Sequence, residues 1–202
     1  MKILAMAYNF ASHAAEMGRP SADPVPFVMP DTALLNGNKP FFIPNYTTRV
    51  DYGIEPVIHV NRMGRNIQER FADRYFDAIG IGVDFTARDL QQQASREGLP
   101  WSVAKGFDGS AAVSRMIPLA EIADLNNAEI RLMRNGQTVQ QAGIGDMTEN
   151  LCQIVAHVSR YFTLHTGDLI FCGTPSGTGP VEQNDRLDGF LNDRHLMSFS
   201  IK

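Results

Sequence analysis

Little in this sequence of 202 residues suits a disulfide framework, a nucleic acid or a bilayer. There are only two cysteines, Cys152 and Cys172, far apart and each in an apolar segment. They read as buried free thiols of a reducing compartment rather than as a bridge. Lys and Arg number 18 against 22 Asp and Glu, a formal charge of −4 with no basic cluster, which argues against a nucleic-acid partner. No apolar run approaches the ~20 residues that span a bilayer. The opening "MKILAMAYNFASHAAEMG" has a basic second residue and an apolar run. It turns polar by Asn9 and continues into a helical pattern, so the expectation is no signal peptide and a cytoplasmic chain. HExxH, CxxC, GxSxG and GxxxxGK[ST] are all missing, which argues against zinc-protease, thiol-redox, α/β-hydrolase and phosphate-loop chemistry. There is no repeat, linker or low-complexity stretch, so one domain over 1–202 is expected.

What is present is a 44% hydrophobic chain able to bury a substantial core. "KILAMAY" reads as a strand, followed by a short helix over about 9–17. Residues 19–48 hold Pro20, Pro24, Pro26, Pro30, Pro40 and Pro44, which forbid a long helix and favour edge strands and turns. "VDYGIEPVIHV", residues 50–60, reads as one strand with Gly53, Glu55, Val57 and His59 on a shared face. The spacing in "QERFADRYFDAI" predicts a helix, and "GIGVDFTARDLQQQ" a strand running into a helix. Asn135-Gly136 between alternating flanks predicts a hairpin. "MTENLCQIVAHVSRYF" predicts an amphipathic helix, "GDLIFCGTPSGTGP" a strand entering a loop, and "HLMSFSIK" a closing strand. Many short strands with few short helices argue for a β-rich α+β domain.

Several residues suit chemistry. Glu55, among apolar neighbours, either faces water or has a partner, because an unpaired buried carboxylate is costly. His13 and Glu16, at i and i+3 on the first helix, suit a carboxylate-oriented general base or a surface ion pair. Asp84 ends an apolar run, a place for a ligand or catalytic carboxylate, or for a helix N-cap. Arg88 and Gln91, one turn apart, suit a carboxylate substrate or solvated surface. Lys105, in the turn-like "AKGFDGS", suits an anion or oxyanion when it stands beside carboxylates. "FCGTPSGTG" offers closely spaced backbone N–H groups and Thr174 for an anion. His157, His165 and His195 look structural.

The ordered segments "YNFASHAAEMG", "YGIE", "VDFTARDLQ", "PWSVAKGFD", "NGQTVQQAGIGDM" and "FTLHTGDLIFCGTPSGTGPV" together resemble the fumarylacetoacetate hydrolase family along nearly the whole chain. The resemblance implies a mixed β-roll with short peripheral helices, usually dimeric. It implies hydrolysis, decarboxylation or tautomerisation of small enolisable 2-oxo or β-dicarbonyl acids, assisted by Mg²⁺ or Mn²⁺. The family's metal-binding aspartate falls on Asp84 and the second of its two strand glutamates on Glu55. The first glutamate falls on Gly53. His13 and Glu16 fall on the water-activating dyad, Lys105 on the lysine beside the metal, and Arg88, Gln91 and Thr174 on substrate contacts. Other departures are Tyr8-Asn9-Phe10 for Arg-Asn-Tyr, Met29 for a lysine, Pro56 after Glu55, and "GSAAVS" after "KGFD". Two carboxylates can still hold a cation that keeps several waters, which makes a metal-assisted enzyme one reading. The alternative is a catalytically impaired member retained for small-acid binding or dimeric interaction.

Overall fold

The computed structural model describes residues 1–36 and 38–202. The chain is a strand-rich α+β roll with few short helices, built on a curled eight-stranded sheet. Its path runs Val25–Met29, Ile3–Ala7, Leu169–Phe171, Ile54–Val60, Phe76–Asp84, Ala111–Val113, Leu34–Asn36. Ile117–Pro118 pairs with Phe76–Asp84 off this path. Both outermost strands, Val25–Met29 and Leu34–Asn36, come from the proline-rich stretch, as expected of residues that cannot donate on both sides of a ladder. A four-stranded antiparallel sheet follows the order Gln137–Gly143, Glu129–Arg134, Arg186–Leu191, Arg194–Ser200.

The stretch over 50–60 is not one strand. It splits at Gly53 into Val50–Tyr52 and Ile54–Val60, which belong to different sheets. Phe76–Asp84 makes the same transfer into Thr86–Ala87. The two runs leave the large sheet side by side: Ile54 pairs with Val83, the Asp84 N–H donates to the Gly53 carbonyl at 2.9 Å, and Asp51 pairs with Thr86. Register is therefore continuous across the break, and Gly53 falls opposite Asp84.

Alternation divides the large sheet's two faces. Leu4, Met6, Ile54, Ile58, Ile79, Ile81 and Val83 enter the main core, which includes the helix Leu151–Tyr161. Ile3, Ala5, Val57, Leu169 and Phe171 point the other way into a smaller core. Gly53 and Glu55 share the Val57 face, so the carboxylate stands on the small-core side. That side has less apolar material to fill it, and there the cavity forms.

Further sequence expectations and alternatives are decided by the structure. "QERFADRYFDAI" forms a 3₁₀ turn, Glu69–Tyr75, and then the strand Phe76–Asp84. Its apolar spacing reflects packing against the helix Leu151–Tyr161 followed by a switch to strand period. Asp84 is no helix cap either, since the helix begins only at Arg88 and runs to Glu97. The helix over 151–161 opens with a capping box: Asn150 Oδ1 accepts the Gln153 N–H at 3.0 Å, and Gln153 Oε1 accepts the Asn150 N–H at 2.9 Å.

Candidate active site

Register places four residues on one face: Gly53 and Glu55 on one strand run, Gly82 and Asp84 on the other. Gly82 admits no side chain, because a Cβ there would stand 2.4 Å from Phe171 Cε1. The Phe171 ring thus packs against Gly82, between the strand and the smaller core. Glu55 and Asp84 are both 3% exposed. Glu55 Oε2 accepts the Gly173 N–H at 2.8 Å. Asp84 Oδ2 accepts from the Lys105 ammonium, which also donates to Thr86 Oγ1 at 2.7 Å. Asp84 Oδ1 is buried and has no partner among the described residues. Burial pushes the Glu55 carboxyl well above its ordinary pKa, and the Asp84 charge pushes further, against Lys105 and the Gly173 N–H. Burial likewise raises Asp84, against Lys105, Arg88 and His13. Two buried carboxylates thus share one close ammonium. An additional cation would relieve both.

At Gly53 an added Cβ would stand 3.0 Å from Thr174 Oγ1 and 3.3 Å from its methyl. Thr174 is held there. Its hydroxyl accepts from Gln140 Nε2 at 3.0 Å, the same nitrogen donates to the Pro175 carbonyl at 2.9 Å, and Gln140 Oε1 accepts the Ile54 N–H at 2.8 Å. Gln140, buried and reaching in from the four-stranded sheet, thereby clamps the 173–178 loop to the strand beside Gly53. Sequence reasoning missed it, since a glutamine in "QTVQQ" gives no local sign of burial.

Arg88 and Gln91 are buried. Arg88 donates through Nε to Asp51 Oδ2 at 2.7 Å and through Nη1 to Gln91 Oε1 at 2.6 Å. Asp51, also missed, is itself satisfied by Arg49 Nε at 2.7 Å. The guanidinium is fixed in place rather than solvated.

His13 sits on the helix Ala11–Glu16, buried, with Nδ1 3.0 Å from Glu16 Oε2. Glu16 Oε1 accepts the Gly177 N–H at 3.0 Å, tying this helix to the Thr174 loop. The turn leading to the helix is strained, with Tyr8 at φ 61°. Buried Asn9 stabilises it by donating to the Cys172 carbonyl at 2.8 Å and accepting the Glu149 N–H at 2.7 Å. Burial lowers the His13 pKa below 6.5; Glu16 opposes the shift, and Lys105 and Arg88 reinforce it.

One cavity of about 40 Å³ is lined by His13, Glu55, Asp84, Arg88, Gln91, Lys105 and Thr174. That is room for roughly three water-sized groups. Glu16 stands behind His13, outside the lining. Tyr8, Phe27, Tyr52 and Trp101 complete the walls. These aromatics lie far apart in sequence, and no local pattern marks them. Lys105 ends the helix Ser102–Lys105 instead of lying in a turn. Met29, aligned with a family lysine, is fully buried in the small core and does not touch the cavity. His157 and His195 pair with Glu149 and Asp188, and neither lines this cavity.

Residues 2–202 match the family model for the fumarylacetoacetate hydrolase C-terminal domain. The chain belongs to the fumarylacetoacetate hydrolase family. It is 32% identical over 201 residues to the mitochondrial oxaloacetate tautomerase of Bos taurus, covering 99% of this chain and 91% of that one. It is 34% identical over 188 residues to the oxaloacetate tautomerase of Escherichia coli, covering 92% and 86%. A crystal structure of fumarylpyruvate hydrolase from Pseudomonas aeruginosa, in complex with Mn²⁺ and pyruvate, superimposes with a TM-score of 0.95. That pair is 29% identical and covers 100% of this chain and 89% of the other. These family members are enzymes, and this chain is a hydrolase or isomerase of the same family. Among the described residues no helix is long and apolar enough to cross a membrane.

Proposed function

We propose that the chain interconverts the enol and keto forms of a small 2-oxo acid of the oxaloacetate or acylpyruvate type, with Mg²⁺ or Mn²⁺ as cofactor. The observation that carries this is the unpartnered, buried Asp84 Oδ1 beside Glu55 in the His13 cavity. Hard oxygen donors in a negatively charged pocket fit such a cation. Among the described residues no third His, Cys, Asp or Glu joins them, so Glu55 and Asp84 would hold it, with water or substrate oxygens completing the shell. When bound, the cation would make the 2-oxo carbonyl more electrophilic and favour the enolate.

The chain's own residues do the rest. Lys105 and Arg88 draw in the substrate carboxylate. Glu16 holds the His13 Nδ1–H and leaves Nε2 free as an acceptor. Neutral His13 removes a proton from C3 or from the enol oxygen and returns it to the other position, so no atom is gained or lost. The aromatic walls keep bulk water away.

Hydrolysis is the second reading, favoured by the Glu16-anchored imidazole. There His13 takes a proton from water, the hydroxide adds to the distal carbonyl, and the bond from that carbon to C3 breaks. The proton then passes to C3, giving a carboxylic acid and a 2-oxo acid. A homodimer, on the strength of the family resemblance, and a cytoplasmic location, on the reading of the cysteines and the N-terminal segment, complete the proposal.

The test follows enol absorbance of oxaloacetate with Mn²⁺ present, and 2-oxo acid release from an acylpyruvate. Accelerated enol loss without release supports tautomerisation, and release supports hydrolysis. Neither, in a protein that binds oxalate, supports the impaired alternative in which Gly53 has ended catalysis.

A further inference from the structure

Beside the carboxylate cavity lies a second, larger hollow of about 490 Å³, a size usual for small-molecule pockets. The two share Phe27, Trp101 and Lys105 in their walls. Apart from these shared residues the larger hollow is lined by Val25, Val28, Leu99, Pro100 and a single hydroxyl residue, Ser102. Val25 is 50% exposed, Val28 44% and Leu99 53%, a concentration of bare aliphatic surface in a concave place. The sequence builds it deliberately. Gly98, in left-handed conformation at φ 67°, ends the helix Arg88–Glu97 and swings Leu99–Trp101 across towards the edge strand Val25–Met29.

The hollow has no spare charge to offer. Among the described residues its only charged lining residue is Lys105, whose ammonium is turned to Asp84 and Thr86. Trp101 Nε1 donates to Ser95 Oγ at 3.0 Å, so the indole presents ring rather than donor. Tyr8 and Phe27 pack edge-on against that ring at 6.2 and 6.3 Å, holding it at the boundary of the two spaces. Arg19 lies over the Tyr8 ring at 5.8 Å and is outside the lining.

We infer that this hollow receives the distal part of the substrate, and that this part is an uncharged alkyl or aryl chain. The inference rests on the 2-oxo acid reading of the adjoining cavity and goes further by naming the substrate class: 2-oxo acids with an apolar tail in preference to dianions. Lys105 is the point where head and tail divide, with its ammonium on the carboxylate side and its Nζ 5.8 Å from the centre of the Phe27 ring.

Trp101 is the only tryptophan in the chain, so its fluorescence reports binding at this wall without any need for turnover. The experiment titrates straight-chain 2-oxo acids of increasing length, with Mn²⁺ present, against native protein and Leu99→Arg. Affinity is expected to rise about threefold for each of the first few added methylenes, the size of a mostly buried CH₂. Leu99→Arg is expected to flatten that series while leaving the shortest acid within twofold. Equal affinity at every length, or tighter binding of dianionic oxaloacetate than of the longest monoanion, would overturn the inference. Alkyl carboxylates lacking the 2-oxo group give the separating control. If they bind as well as the 2-oxo acids and show the same length dependence, the hollow stands and the 2-oxo acid reading falls.

Discussion

Two buried aspartates on neighbouring strand runs meet very different surroundings. Asp51 has both oxygens satisfied, by Arg49 and Arg88, and is a closed ion pair. Asp84 has one oxygen on Lys105 and the other on nothing among the described residues, with Glu55 adding a second buried carboxyl. Nature tolerates the first arrangement anywhere that a charge must be buried. The second is costly unless something arrives to complete it. The contrast separates a closed ion pair from an open one: Asp51 fixes Arg88, and Asp84 keeps a free oxygen, the feature on which the proposed cation site rests.

Substitutions should break that comparison along the same line. Asp84→Asn is expected to lower kcat/KM for oxaloacetate on the order of a thousandfold, with little change in melting temperature, because the cost falls on cation binding. His13→Ala should lower it about a hundredfold by removing the base, with the residual rate insensitive to pH near neutrality. Asp51→Ala reverses the pattern. It strands the buried Arg88 guanidinium and should cost about 3 kcal/mol of stability, read by denaturant unfolding, with activity loss secondary to a displaced Arg88.

The pH profile sharpens the picture. With His13 in the proposed role of base, activity is expected above its folded pKa and is expected to be lost as pH falls through it. Burial sets that limb below the ordinary imidazole value, with Lys105 and Arg88 pushing the same way and Glu16 opposing. Glu16→Gln removes the opposing influence, so the acid limb should move to lower pH while the plateau drops about tenfold. A limb moving upward would contradict the dyad. The smallest effect is at Gly53, whose conformation is not the left-handed one reserved for glycine. Gly53→Ala should cost about 1 kcal/mol through its contact with Thr174. Gly53→Glu should gain cation affinity only to the extent that Thr174 can move against its Gln140 tether.

The sequence carried the fold well where signals are local. The Asn135-Gly136 turn forms with φ of 53° and 81°, as a two-residue hairpin requires. The helix Leu151–Tyr161 forms inside the stretch whose amphipathic spacing predicts it. The break at Gly53 was illegible because it is set by which sheet each half pairs with, not by the residues of 50–60 themselves. Spacing alone left His13 with Glu16, and Arg88 with Gln91, undecided between chemistry and surface. The family resemblance, not periodicity, singled them out. Asp51, Gln140 and Trp101 were missed because each acts through partners that only tertiary register brings near. Met29 carries the opposite lesson, since an apparent loss from a charged lining is a core methionine.

The central claim is that Glu55 and Asp84 form an incomplete cation site that a 2-oxo acid helps to complete. The most direct test is calorimetric titration of Mn²⁺ into native protein, Asp84→Asn and Asp51→Asn, each with and without oxalate as a planar stand-in for the enolate. The account predicts weak binding alone, at least tenfold tighter binding with oxalate, and loss of both in Asp84→Asn but not in Asp51→Asn. No binding by native protein under either condition, or undiminished binding in Asp84→Asn, would contradict it.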